Sequence, residues 1–146
     1  MNDVLQSFKT LLDQTPGRLI KFSEAEAAAR PAPGQWSKKE ILGHLIDSVS
    51  NNHQRIVRMQ LEPQISFPGY KQEQWVATQR YQQEPWKDMI QAWEGFNRHL
   101  LHVVTQIPED RRGNLCSLDG NEPVTLEFLV RDYVQHLAHH LRQILG

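Results

Sequence analysis

The spacing of apolar residues constrains this chain more than any other feature. Four long segments carry apolar side chains at intervals of three and four, the period of one face of an α-helix. Val4, Leu5, Phe8, Leu11 and Leu12 predict a helix over 3–14. Pro16 then kinks that helix or starts a second segment holding Leu19, Ile20 and Phe22. Ser23 with Glu26 fits a capping box for a short helix through Ala29, and the prolines and glycine of RPAPGQ (30–35) make a loop.

The second long helix has the clearest start. Ser37 stands three residues before Glu40, so each can bond the other's backbone N–H, while Trp36 and Ile41 are spaced as a hydrophobic staple. Its apolar stripe runs to about residue 60. Pro63, Pro68 and Gly69 mark a long connection, with a short helical piece at Gln72 to Arg80. Pro85 suits the opening of a third long helix, which carries Trp86, Ile90, Trp93, Leu100 and Val104 and ends before Pro108. Residues 108–123 read as a loop or short hairpin. Thr125 can cap the last helix, which runs to about Leu145. Four long helices with one extended crossover predict an all-α four-helix bundle, a fold that builds metal sites from facing helices. A chain of 146 residues suits a single domain over 1–146.

Composition removes several function classes. Sixteen Lys+Arg face seventeen Asp+Glu, with no basic stripe, so no nucleic-acid partner is expected. No apolar stretch is long enough to span a membrane. The single cysteine, Cys116, allows no intrachain disulfide and suits a reducing compartment, so the expected location is cytoplasmic. The N-terminal MNDVLQSFKTLLDQ lacks the basic start and apolar core of a signal peptide.

The chemistry lies in the histidines. His136 and His140, in YVQHLAHHLRQIL, are four apart and so stand on one helix face among apolar positions. His44, in EILGHLIDSVSNN, heads a stripe on another helix that continues through Asp47, Asn51 and Arg55. That stripe is too polar for ordinary core, and buried polar groups need partners. One metal ion gripped by three imidazoles is such a partner, and it leaves positions open for chemistry. The residues alone leave open a second reading, in which His136 and His140 are exposed or hydrogen-bonded within the core. His139 points about a quarter turn away and is a poorer ligand, with a supporting or surface role. His53, His99 and His102 read as surface residues without function. There is no His-Glu-x-x-His and no Gly-x-Ser-x-Gly.

The segments RPAPGQWSKKEILGHLIDSVSNNHQRI, FPGYKQEQWV and YVQHLAHHLRQI together resemble the DinB/YfiT-like family of metal-dependent enzymes, over nearly the whole chain. The YfiT-type branch is the nearer, through the segment from Tyr70 to Trp75. The resemblance implies an all-α, up-down four-helix bundle with a long crossover loop, commonly a homodimer, with nickel or zinc held by three histidines that map to His44, His136 and His140. It further implies transfer of a low-molecular-weight thiol such as bacillithiol, mycothiol or glutathione to an electrophile. On that reading the ion holds the sulfur as thiolate. Arg55 or Asn51 takes a carboxylate or amide of the thiol, Asp47 orients a histidine or accepts a proton, and Tyr70 and Trp75 line or cover the pocket. The alternatives are hydrolysis by metal-activated water, with Asp47 as base, and a non-enzymatic, metal-stabilised stress-response binding protein.

Overall fold

The computed structural model describes residues 1–146. Six helices and three short strands follow in the order α1 (Asn2–Leu19), α2 (Glu24–Ala28), α3 (Lys38–Met59), β1 (Gln64–Phe67), α4 (Gln72–Gln79), α5 (Trp86–Thr105), β2 (Leu115–Leu118), β3 (Val124–Thr125) and α6 (Leu126–Leu145). The four long ones, α1, α3, α5 and α6, form the bundle around a cluster of 28 buried apolar residues.

Helix starts obey the expected chemistry. Both capping boxes form: Ser23 with Glu26 opens α2, and Ser37 with Glu40 opens α3. The Thr125 hydroxyl accepts from the Phe128 N–H at the head of α6. Pro16, expected to kink the first helix or begin another, lies inside one continuous helix from Asn2 to Leu19. A proline frees the carbonyl four residues earlier. Here that carbonyl, Leu12 O, accepts from the Arg98 guanidinium of α5 at 3.0 Å. A tertiary contact thus replaces the missing intrahelical bond.

In the bundle α3 packs against α5 and α6, and α1 packs against the same two. The pairs α1/α3 and α5/α6 therefore face each other across the diagonals. The Trp86 indole donates to Leu19 O, while Arg98 reaches Leu12 O, so α1 and α5 are antiparallel. Lys38 at the head of α3 bonds Ile144 O at the end of α6, so these two are antiparallel as well. Lys39 bonds Glu84 O while His53 meets His99 farther along, so α3 and α5 are parallel. In chain order the long helices run up, down, down, up. Parallel neighbours need a connection as long as a helix, and residues 60–85 are the expected crossover.

The connection is not all loop. Its first part pairs as β1, parallel to β2 with Ile65 opposite Cys116, and β2 pairs antiparallel with β3, with Cys116 opposite Val124. Cys116, at the centre of this pairing, is buried. No helix is long and apolar enough to cross a membrane.

Candidate metal centre

The polar stripe on α3 meets the histidine pair of α6 because these two helices are packed neighbours. The ligand-capable atoms of His44, His136 and His140 all lie within 4.8 Å of one another. Ring centres are 4.5 Å apart for His136 and His140, 4.8 Å for His44 and His140, and 6.1 Å for His44 and His136. The three differ in burial. His44 is 1 % exposed, His140 is half-buried and His136 is open to solvent.

Both ring nitrogens of His44 are buried with no hydrogen-bond partner. Burial, and then the neighbouring imidazoles of His140 and His136, push its pKa down to about 4. His44 is therefore neutral at physiological pH, the form in which imidazole binds a metal. The Trp36 ring, tilted at 38° with its centre 5.4 Å away, covers one side of it. His140 Nδ1 lies 2.8 Å from Gln143 Oε1. An amide oxygen accepts, so Nδ1 carries the proton and Nε2 is left free as a ligand. Burial is also the main cause of the lowered pKa of His140. His139 is exposed and sits 3.3 Å from the amide nitrogen of the same Gln143, so it stands beside the cluster rather than in it.

The register of α6 is fixed from below. The Tyr133 hydroxyl, one turn before His136, donates to Asn97 Oδ1 across the core, and the Asn97 amide donates to Trp93 O. A buried polar pair satisfied only in one alignment holds the helix in that alignment.

Asp47 is 2 % exposed, one turn past His44 on α3. Its Oδ1 accepts from the Tyr81 hydroxyl and from the Gln79 amide, each at 2.7 Å, while its Oδ2 is buried without a partner. Burial raises its pKa, with the two hydrogen bonds working against the rise. Tyr81 reaches Asp47 by lying flat on Gly43, where an added Cβ would come within 2.1 Å of the tyrosine ring. Asn51 is turned to its own helix, donating to Asp47 O at 2.9 Å. Arg55 stands over the Tyr70 ring at 6.0 Å, and Tyr70 meets Trp75 with ring centres 5.0 Å apart. Burial, then the charge of Asp47, raises the pKa of Tyr70. The connection thus lays Tyr70 beside the polar stripe, with Trp75 half-exposed above it.

Four participants escaped the sequence reading of this site: Tyr81, Gln79, Gln143 and Gly43. Gly43 had left a signal. A glycine inside a helix costs about 1 kcal/mol against alanine, so one placed beside His44 points to a close neighbour. Trp36 entered the sequence reading only as a staple, not as the cover of His44.

A family model described as the DinB superfamily matches residues 7–144. A protein of Oceanobacillus iheyensis, named for an inferred metal-dependent hydrolase activity, is 21% identical over 144 residues, which are 99% of this chain and 83% of that protein. Among solved structures, YfiT from Bacillus subtilis is described as a probable metal-dependent hydrolase with an unusual four-helix bundle topology. It matches with a TM-score of 0.88 at 16% identity, over 98% of this chain and 82% of its own.

Proposed function

The chain belongs to the DinB superfamily, and from that premise we propose that it is a metal-dependent hydrolase of a small molecule, with His44, His136 and His140 holding one nickel or zinc ion. The observation that carries this reading is His44. A neutral imidazole with both nitrogens orphaned in the interior costs free energy, and two further imidazoles converge on it. An ion at that point satisfies the orphaned ligand atom. Three neutral ligands keep the full positive charge on the ion, which supplies Lewis acidity to a nucleophile and to the group attacked.

The remaining residues take roles that follow from their placement. Asp47 Oδ2 accepts the proton that the nucleophile gives up. Its pKa, raised by burial, and its unpartnered oxygen suit it to accept a proton. Tyr81 and Gln79 hold the other carboxylate oxygen and so fix its aim. Arg55 and Asn51 bind an anionic or amide group of the substrate, and Tyr70 and Trp75 cover its apolar part. The protein works as a homodimer on this reading.

The cation and aromatic pair Arg55–Tyr70 also suits a carboxylate-bearing thiol co-substrate, which favours a second reading: transfer of a bacillithiol-like thiol to an electrophile at the same centre. One experiment separates the two. Untagged protein is analysed for bound metal, then assayed on ester, amide and halide electrophiles with and without a low-molecular-weight thiol. Product formed with water alone supports hydrolysis, and product that requires thiol supports transfer. Protein that purifies without metal and takes up neither added nickel nor added zinc overturns both and leaves a binding protein.

A further inference from the structure

His53, His99 and His102 have no part in the centre above, yet two of them meet on the far side of α3. His53 lies nine residues beyond His44. At about 3.6 residues per turn that is half a circle around the helix, so His53 faces α5 where His44 faces α6. The parallel register of α3 and α5 then brings His53 beside His99, with ring centres 5.2 Å apart and planes at 52°.

That spacing suits a shared ion. With a metal–nitrogen bond of about 2.0–2.1 Å, two imidazoles on one tetrahedral ion stand with ring centres roughly 5 Å apart. It also falls within the 4.5–6.1 Å spread of the three rings of the candidate centre. His53 is half-buried and is steadied by the edge of Phe96, whose ring centre is 5.3 Å away at 70°. Burial and the neighbouring His99 lower its pKa, which favours the neutral, ligating form. His99 is exposed, so one side of the pair is open to water. His102 lies 6.4 Å from His99 with the two planes only 25° apart, an arrangement of stacked rings rather than of converging ligands.

We infer that His53 and His99 form a second, surface site for a divalent transition ion of the zinc type, held by two imidazoles from α3 and α5 and completed by water. Imidazole ligands suit zinc, nickel and copper. Two ligands, one half-buried and one exposed, hold such an ion more weakly than three with one fully buried. The site is independent of the proposed enzymatic function, since it shares no residue with the first centre.

Calorimetric titration of the metal-stripped full-length chain with Zn²⁺ tests it. Wild type should show a stronger and a weaker binding step. His99→Ala, at an exposed position that leaves the core untouched, should weaken the second step by at least ~10-fold, the least that loss even of a ligand's outer partner costs, and spare the first. His44→Ala should do the reverse, so failure of the first centre leaves the His99-dependent step in place. His102→Ala should keep both steps. A wild-type titration with no His99-dependent step, a weaker step that survives in His99→Ala, or an equal loss in His102→Ala would overturn the assignment.

Discussion

Of the histidines, His44 has the largest pKa shift and weighs most on the acid stability of the metal-free protein, with His140 and His53 shifted the same way. Its folded pKa, about 4, lies well below the value of about 6.5 that an unfolded histidine has. Between those values the unfolded chain binds a proton that the folded chain refuses. Stability therefore rises with pH across that window and is lost as the pH falls through it, by on the order of 3 kcal/mol in all. Urea midpoints of the stripped protein, followed from neutral pH down to about 4, should fall steeply in wild type and less steeply in His44→Gln. An unchanged slope in the variant would place the dependence on another group. Asp47 has the opposite sign. Its folded pKa is raised by burial, so its ionised form costs stability, and the cost appears as the pH rises through that pKa. Asp47→Asn keeps an acceptor for Tyr81 and Gln79, so it should stabilise the protein at neutral pH, with the gain vanishing in acid. The same change removes the proposed base and should lower turnover by roughly 10²–10⁴-fold with the metal retained. Metal content, activity and denaturation on one preparation check all three.

The start of α3 ties local structure to the site. Glu40 closes the capping box on the Ser37 N–H and also takes a two-pronged hydrogen bond from Arg30, at 2.9 and 3.0 Å. That pins the loop carrying Trp36, which lies over His44. Glu40→Ala should cost on the order of 1–2 kcal/mol, from a lost cap and lost charge-assisted bonds, and should weaken zinc binding too. Glu26→Ala, the equivalent change at the exposed box of α2, should cost stability alone. Thermal melts and a zinc titration of both variants separate these outcomes, and equal zinc affinities would detach Trp36 from the centre. Gly43→Ala drives a methyl group into the Tyr81 ring. Overpacking of this kind costs about 1–3 kcal/mol, against a helix-propensity gain of about 1 kcal/mol. A net loss of stability, together with release of Asp47 from Tyr81, is the expected result, read as a lower melting temperature and lower activity at unchanged metal content.

Across the whole molecule, what could be read from sequence was what is encoded locally. The helices and their starts follow from apolar periodicity and from capping residues three positions apart, and both signals stand within a few residues of what they specify. The expectation that His44, His136 and His140 converge came from the four-residue spacing of the pair on α6, from the polar stripe that His44 heads on α3, and from the family resemblance; the structure leaves His136 open to solvent rather than buried. The strand Gln64–Phe67 left no such trace, because its partner Leu115–Leu118 is some fifty residues away and pairs with it in parallel. Tyr81 and Gln79 were hidden for a related reason: they flank the end of the short α4, Gln79 as its last residue and Tyr81 just beyond it, and only folding brings Tyr81 onto Gly43 and both onto Asp47. The path of α1 through Pro16 likewise depends on Arg98 from a distant helix. This long-range character makes a global prediction about the metal. An ion on His44, His136 and His140 joins α3 to α6, which are neighbours in space but separated in sequence by all of α5. Binding to the folded state alone stabilises by about 2.7 kcal/mol at a hundredfold excess over the dissociation constant. For a chain of this size that is a rise in melting temperature of roughly 5–10 °C. Zinc added to the stripped protein should produce that rise, and His44→Ala should lose most of it while melting as cooperatively as wild type without metal. A wild-type melting temperature that ignores zinc would mean that the ion, if it binds at all, does not join the two helices.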